Sequence, residues 1–144
     1  MSYRLIVKRF IIFALVLLWV YASASKMLDF NMFRGQMHRQ VLPATVKNYL
    51  PYILPELEIG AALMLLFDRT QFIGFSISLA LMAAFTIYIG GAVFRFYDQV
   101  PCSCGGVLTG MGWDAHFFFN LFFLLLTAIG FIIIYRERRA DQKV

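Results

Sequence analysis

The chain has 144 residues, 61% hydrophobic and only 15% charged, with a mean hydropathy of +0.74 and a formal net charge of +5. A soluble domain of this size has nowhere to hide so much apolar side chain, so an ordinary globular protein is excluded and the bilayer becomes the solvent. The basic excess falls beside the apolar segments as membrane anchors and requires no nucleic-acid partner. No linker, repeat or low-complexity tract divides the sequence, and one integral membrane domain over residues 1–144 is expected.

Four spans follow from the apolar runs, since crossing the hydrocarbon core takes about 20 residues. The first covers about 5–24, with Lys8 and Arg9 near its start. Those two cations, the apolar stretch and Ala22-Ser23-Ala24 also resemble a cleavable signal, but an uncleaved first helix is the expectation. After it, Phe30, Phe33, Met37 and Val41 recur at helical spacing, with Arg34, Gln36, His38, Arg39 and Gln40 on the other face. This pattern predicts a short helix on the membrane surface or over the bundle mouth, punctuated by Pro43 and Pro51.

The second span, about 50–67, contains Pro51, Pro55, Glu56 and Glu58. A lipid-facing carboxylate is expensive, so both glutamates should lie near an interface or face the bundle. A contact between one of them and Lys26, at the outer end of the first helix, is expected either to hold the fold or to place a proton donor at the mouth. The third span, 71–94, carries no charge, and the fourth, about 115–135, holds only His116 and Asn120 as strongly polar groups. Gly60, Gly74, Gly90 and Gly91 are candidate points of close helix approach. The expected fold is therefore all-α, a polytopic four-helix membrane bundle with a short interfacial helix between the first two spans.

With four spans, both termini share a side with the turn at Asp68-Arg69-Thr70. That side carries Arg4, Lys8, Arg9, Arg69, Arg136, Arg138, Arg139 and Lys143, eight of the thirteen basic residues. The positive-inside rule then places both termini in the cytoplasm and the long loop after the third span outside, in a compartment where disulfides persist.

That loop holds the only two cysteines, in Pro101-Cys102-Ser103-Cys104-Gly105-Gly106. In an extended strand, residues two apart lie about 7 Å from Cα to Cα, the upper limit for a disulfide, so pairing requires a tight bend at Ser103. Pro101 and Gly105-Gly106 favour such a bend. A ring so small removes little chain entropy, which makes it a poor staple, and its strain makes it easy to reduce. Dithiol redox chemistry is the first reading. Two thiolates with Asp114, His116 or Met111 would alternatively suit a soft ion such as Cu(I) or zinc, and incidental thiols are the third reading.

Trp113, Asp114 and His116 fall at the outer entrance to the fourth span, where Trp is enriched. A protonated His116 would stabilise a thiolate, while a water-satisfied interfacial histidine is the equally simple alternative. Asn120 lies four residues on, on the same helix face, as expected of an interhelical hydrogen-bonding residue.

Together, Tyr21-x-x-x-Ser25-Lys26 and Leu54-Pro55-Glu56-Leu57-Glu58-x-Gly60 resemble the first two helices of the MauE/DoxX-like membrane proteins. Cys102-Ser103-Cys104-Gly105-Gly106 with Trp113-x-x-His116-x-x-x-Asn120 resembles the redox-associated MauE branch. The resemblance covers nearly the whole chain and implies a bacterial inner-membrane bundle that assists disulfide formation or reduction in exported proteins. It implies a periplasmic thioredoxin-like partner or exported clients, with Cys102 and Cys104 as the exchanging pair. Lys26, Glu56 and His116 become family-like positions, and Ala24 or Ser25 stands where the family has glycine near the lysine. One pair cannot relay electrons to a second internal disulfide, so turnover would need a quinone in the bundle, a second protein or a single-step exchange. The sixteen Phe form no pattern that specifies a quinone pocket. The rival reading is a non-enzymatic subunit that scaffolds a larger membrane complex.

Overall fold

The structure is a computed structural model that describes residues 2–94 and 112–144, with the side chain of Trp113 left aside. Among the described residues there are five helices and no strand: α1 (Tyr3–Leu28), α2 (Phe30–His38), α3 (Ala44–Leu66), α4 (Gln71–Val93) and α5 (Trp113–Asp141). All except α2 are long and apolar enough to cross a membrane. The chain is thus a polytopic membrane helical bundle with one short extra helix.

The observed spans outrun three of the predicted ones. α1 extends to Leu28, α5 to Asp141, and α3 begins at Ala44 rather than near residue 50. Pro43 does mark a boundary, as N-cap of α3, but Pro51 does not. Pro51 and Pro55 both sit inside α3, four residues apart, buried on one face. A proline frees the carbonyl four residues back, yet membrane helices keep such prolines when neighbouring groups re-satisfy the backbone. Ser23 of α1 donates to the Pro55 carbonyl at 3.1 Å and so ties α1 to α3 beside the two prolines.

α1 packs mainly on α3, and α5 mainly on α4, with α3 and α4 packed on each other in the middle. The buried face of α1 carries Ile11, Leu15, Trp19, Ala22, Ser23 and Lys26, a helical stripe that turns polar only in its last two turns. Its apolar part joins Ala61, Ala62 and Leu65 of α3, Phe75 and Met82 of α4, and Ile134 of α5 in one core. Trp19 Nε1 donates to Ser78 Oγ at 2.9 Å and so ties α1 to α4 within that core.

Close approach depends on two glycines. A Cβ on Gly74 would stand 2.9 Å from the Leu65 backbone nitrogen, and one on Gly130 would collide with the Phe75 ring. Gly60, expected at such a contact, instead faces open space. The α3–α4 turn is closed by Thr70 Oγ1, which donates to the Met64 carbonyl at 2.8 Å and supplies a partner that the helix end lacks.

One end of the bundle gathers both termini and this turn. Lys8 Nζ lies 2.7 Å from Glu137 Oε2, and the Arg138 guanidinium lies over the Phe72 ring at 4.6 Å. From Lys8 to Lys26 the helix rises about 27 Å, close to the roughly 30 Å of a hydrocarbon core. Lys26 therefore approaches the opposite interface.

At that opposite end α2 folds back over the bundle. Asp29 caps it, its carboxylate accepting from the Met32 N–H at 3.3 Å. Phe33 and Met37 are buried against Leu54, so α2 covers the mouth, whereas Val41 lies beyond its last turn and is exposed.

Candidate functional site

The covered end is built around a charge pair. Lys26 Nζ lies 2.8 Å from Oε1 and 3.1 Å from Oε2 of Glu58, with the two side chains 1% and 0% exposed. Helical side chains lean toward the N-terminus of their own helix. Because α1 and α3 run antiparallel, Lys26 and Glu58 lean toward each other along the bundle axis. Lys26 Nζ also donates to the Ala22 carbonyl at 3.2 Å, and the Phe33 ring closes the site 5.8 Å away. An ammonium with both carboxylate oxygens, a carbonyl and an aromatic ring around it is satisfied in a medium that would otherwise reject it.

Of the two glutamates near Pro55, only Glu58 reaches this position, while Glu56 is exposed on the outside of α3. The three-residue step Pro55–Glu58 keeps Glu58 on the buried face, and Glu56 falls off it.

His116 and Asn120, in the first two turns of α5, are both buried, at 5% and 6% exposure. They share a face, as their spacing requires. No hydrogen bond joins the His116 ring to another described residue, and Asn120 Nδ2 is the one buried side-chain nitrogen or oxygen without a partner among the described residues. Both side chains line a cavity of about 390 Å³ between α1 and α5, floored by Met82 and Phe85 of α4. Phe10, Phe13 and Leu17 form its α1 wall, Phe119 and Phe123 its α5 wall, and Glu58 reaches its upper end. The cavity exists because α1 and α5 each pack on a different partner and meet only in part.

The fold thus brings Lys26, Glu58, His116 and Asn120 to one end, and leaves Glu56 and Asp114 exposed there. Cys102 and Cys104, Arg95 and Met111 lie outside the described residues, as does the Trp113 side chain. Among the described residues no group of His, Cys, Asp or Glu is arranged to hold a metal ion.

Sequence reasoning missed the α1 wall of the cavity and the ties made by Trp19 and Ser23. A signal for the ties was present. Trp19, Ser23 and Lys26 recur at four- and three-residue steps in an otherwise apolar helix, the spacing of one interhelical face.

No curated protein and no solved structure matches the chain. The family model described as methylamine utilisation protein MauE matches residues 4–133, which is 130 of the 144 residues and takes in the cysteine pair, α1 from its second residue, all of α3 and α4, and α5 up to residue 133. By that match this multi-pass membrane protein belongs to the MauE family.

Proposed function

We propose that this protein is a thiol–disulfide exchange protein of the bacterial inner membrane that assists disulfide formation or reduction in exported proteins. The observation that carries the reading is a Cys-x-Cys pair within a chain that belongs to the MauE family. The family's description ties it to methylamine utilisation, and a thioredoxin-like periplasmic protein or an exported client would be the partner.

The location of the pair in the sequence supports this. α4 ends and α5 begins at the end of the bundle away from the termini, the end that carries Lys26, Glu58 and His116. With Lys8, Arg9, Arg138 and Arg139 at the opposite end, the charge bias favours cytoplasmic termini and a periplasmic cysteine connection.

In the exchange, a partner thiolate attacks one sulfur of the Cys102–Cys104 disulfide. One S–S bond forms as the other breaks, and the second partner thiol then resolves the mixed disulfide. The partner leaves as a disulfide and this chain as a dithiol, so two electrons and two protons have moved. The reverse sequence reduces a partner. His116, buried at the start of α5, is the group suited to stabilise a thiolate.

The test is to replace Cys102 and Cys104 separately by Ser and to resolve membrane extracts without reductant. One single variant should accumulate a reducible adduct with a periplasmic thioredoxin-like protein or an exported client. Two silent variants with an intact membrane assembly would replace this reading by a non-enzymatic scaffold.

A further inference from the structure

We propose that the cavity between α1 and α5 is a binding site for a lipid-soluble quinone, one of whose ring carbonyls accepts a hydrogen bond from Asn120. The redox role given to the ligand rests on the exchange reading above, whereas the site itself rests on the cavity alone.

Asn120 points to the ligand's chemistry. Its Nδ2 is buried, borders the cavity and has no acceptor among the described residues. An amide N–H kept in an apolar setting is costly unless something arrives to accept it. His116, one turn earlier on the same face, is a second polar group bordering the same space. Apart from Glu58 at the upper end, which is held by Lys26, the rest of the described lining is aromatic and aliphatic, with Phe10, Phe13, Phe119 and Phe123 prominent. The occupant must therefore be flat and apolar over most of its surface, with hydrogen-bond acceptors at its edge.

The route of entry narrows the class further. Phe10, Phe13 and Leu17 are each more than 60% exposed along the lipid-facing side of α1, so the cavity opens into the hydrocarbon region. A ligand that partitions into lipid can enter from that side. A phospholipid headgroup would seek a cation, but Lys26 is already held by Glu58 and does not line the cavity. A bare acyl chain would satisfy the walls and leave the Asn120 amide unpaired. The volume, about 390 Å³, lies in the range of small-molecule sites.

A quinone also closes the electron count that a single cysteine pair leaves open. The Cys102 and Cys104 thiols form one S–S bond and release two electrons and two protons. The quinone takes up both, its two C=O groups becoming the C–OH groups of the quinol. His116, one turn from Asn120 on the same cavity wall, is assigned the transfer of one of these protons to the ring oxygen.

The experiment uses the full chain carrying Trp113→Phe, freed of native lipids and placed in nanodiscs, so that Trp19 is the only tryptophan. Trp19 borders the cavity, and a decyl-substituted benzoquinone is titrated while its emission is followed. Saturable quenching is expected, with the apparent Kd raised at least tenfold by Asn120→Leu and by Ala14→Phe, which fills the cavity from the α1 side. Non-saturable quenching, or saturation unaffected by both substitutions, overturns the site. The Cys102→Ser/Cys104→Ser double variant should bind with unchanged Kd. If trapping by the single cysteine variants fails while this binding holds, the exchange reading falls and the ligand site stands. If trapping succeeds while binding fails, the exchange stands and this site falls.

Discussion

Lys26 and Glu58 form a bidentate ion pair, 2.8 and 3.1 Å from Nζ to the two carboxylate oxygens, almost wholly removed from solvent at one end of the bundle. The pair links the last turn of α1 to the middle of α3, just beneath the ring of Phe33. It is the point at which the two charges least tolerable in a bilayer become a structural joint.

Removing one partner leaves the other charge buried and alone. Lys26→Met or Glu58→Leu should each destabilise the protein by about 3–5 kcal/mol. The double variant should recover most of that loss, because an apolar pair of similar size carries no desolvation cost. A double-mutant cycle of unfolding in mild detergent checks this. Equal losses that simply add would show that the pair is not coupled.

Gly74 and Gly60, one pressed against a neighbouring backbone and one facing open space, should behave oppositely. Gly74→Val forces a branched side chain toward the Leu65 backbone nitrogen, 2.9 Å from the added Cβ, and should cost about 1–3 kcal/mol. Gly60→Ala meets open space inside a helix and should be neutral or stabilise by about 0.5–1 kcal/mol. Thermal stability of the two purified variants decides between them.

Trp19→Phe keeps the aromatic packing of the core but removes the donor to Ser78. A loss of about 0.5–2 kcal/mol is expected, in the range of polar contacts between membrane helices. Trp19→Phe combined with Ser78→Ala should cost less than Trp19→Phe alone, since no hydroxyl then stays orphaned in the core. A reversed order in unfolding midpoints would remove this tie from the account of the core.

Asn120→Leu should raise the stability of the ligand-free protein by about 1 kcal/mol, because a buried amide without an acceptor is replaced by an apolar side chain of similar size. Residues retained at a cost to stability are commonly functional. A fall in the unfolding midpoint in quinone-free detergent would mean that the amide already has a partner.

Orientation is open to a direct measurement. In intact cells treated with a mild reductant, a membrane-impermeant thiol reagent should label Cys102 and Cys104 from the periplasmic side. Labelling only after the inner membrane is opened would reverse the topology.

Composition and hydropathy were sufficient for the architecture. Four apolar runs of near-bilayer length leave the chain no alternative to a membrane bundle, and an even number of spans brings both termini to one end, where Lys8 meets Glu137. The His116–Asn120 face was legible for the same kind of reason, since a four-residue step fixes direction around a helix whatever the neighbours do. The start of α3 was not legible. Pro51 is a break signal in sequence, and only the packing of the buried Pro51–Pro55 face of α3 among the other helices shows that the helix runs through it.

What the sequence alone determined was the number of crossings and the set of polar residues too costly to face lipid, both consequences of transfer energy along one chain. Which glutamate meets Lys26, which glycine admits its neighbour and where a cavity opens were decided by the tertiary packing of α1, α3, α4 and α5. Those outcomes depend on the relative rotation and partial separation of helices, which no periodicity within a single helix encodes.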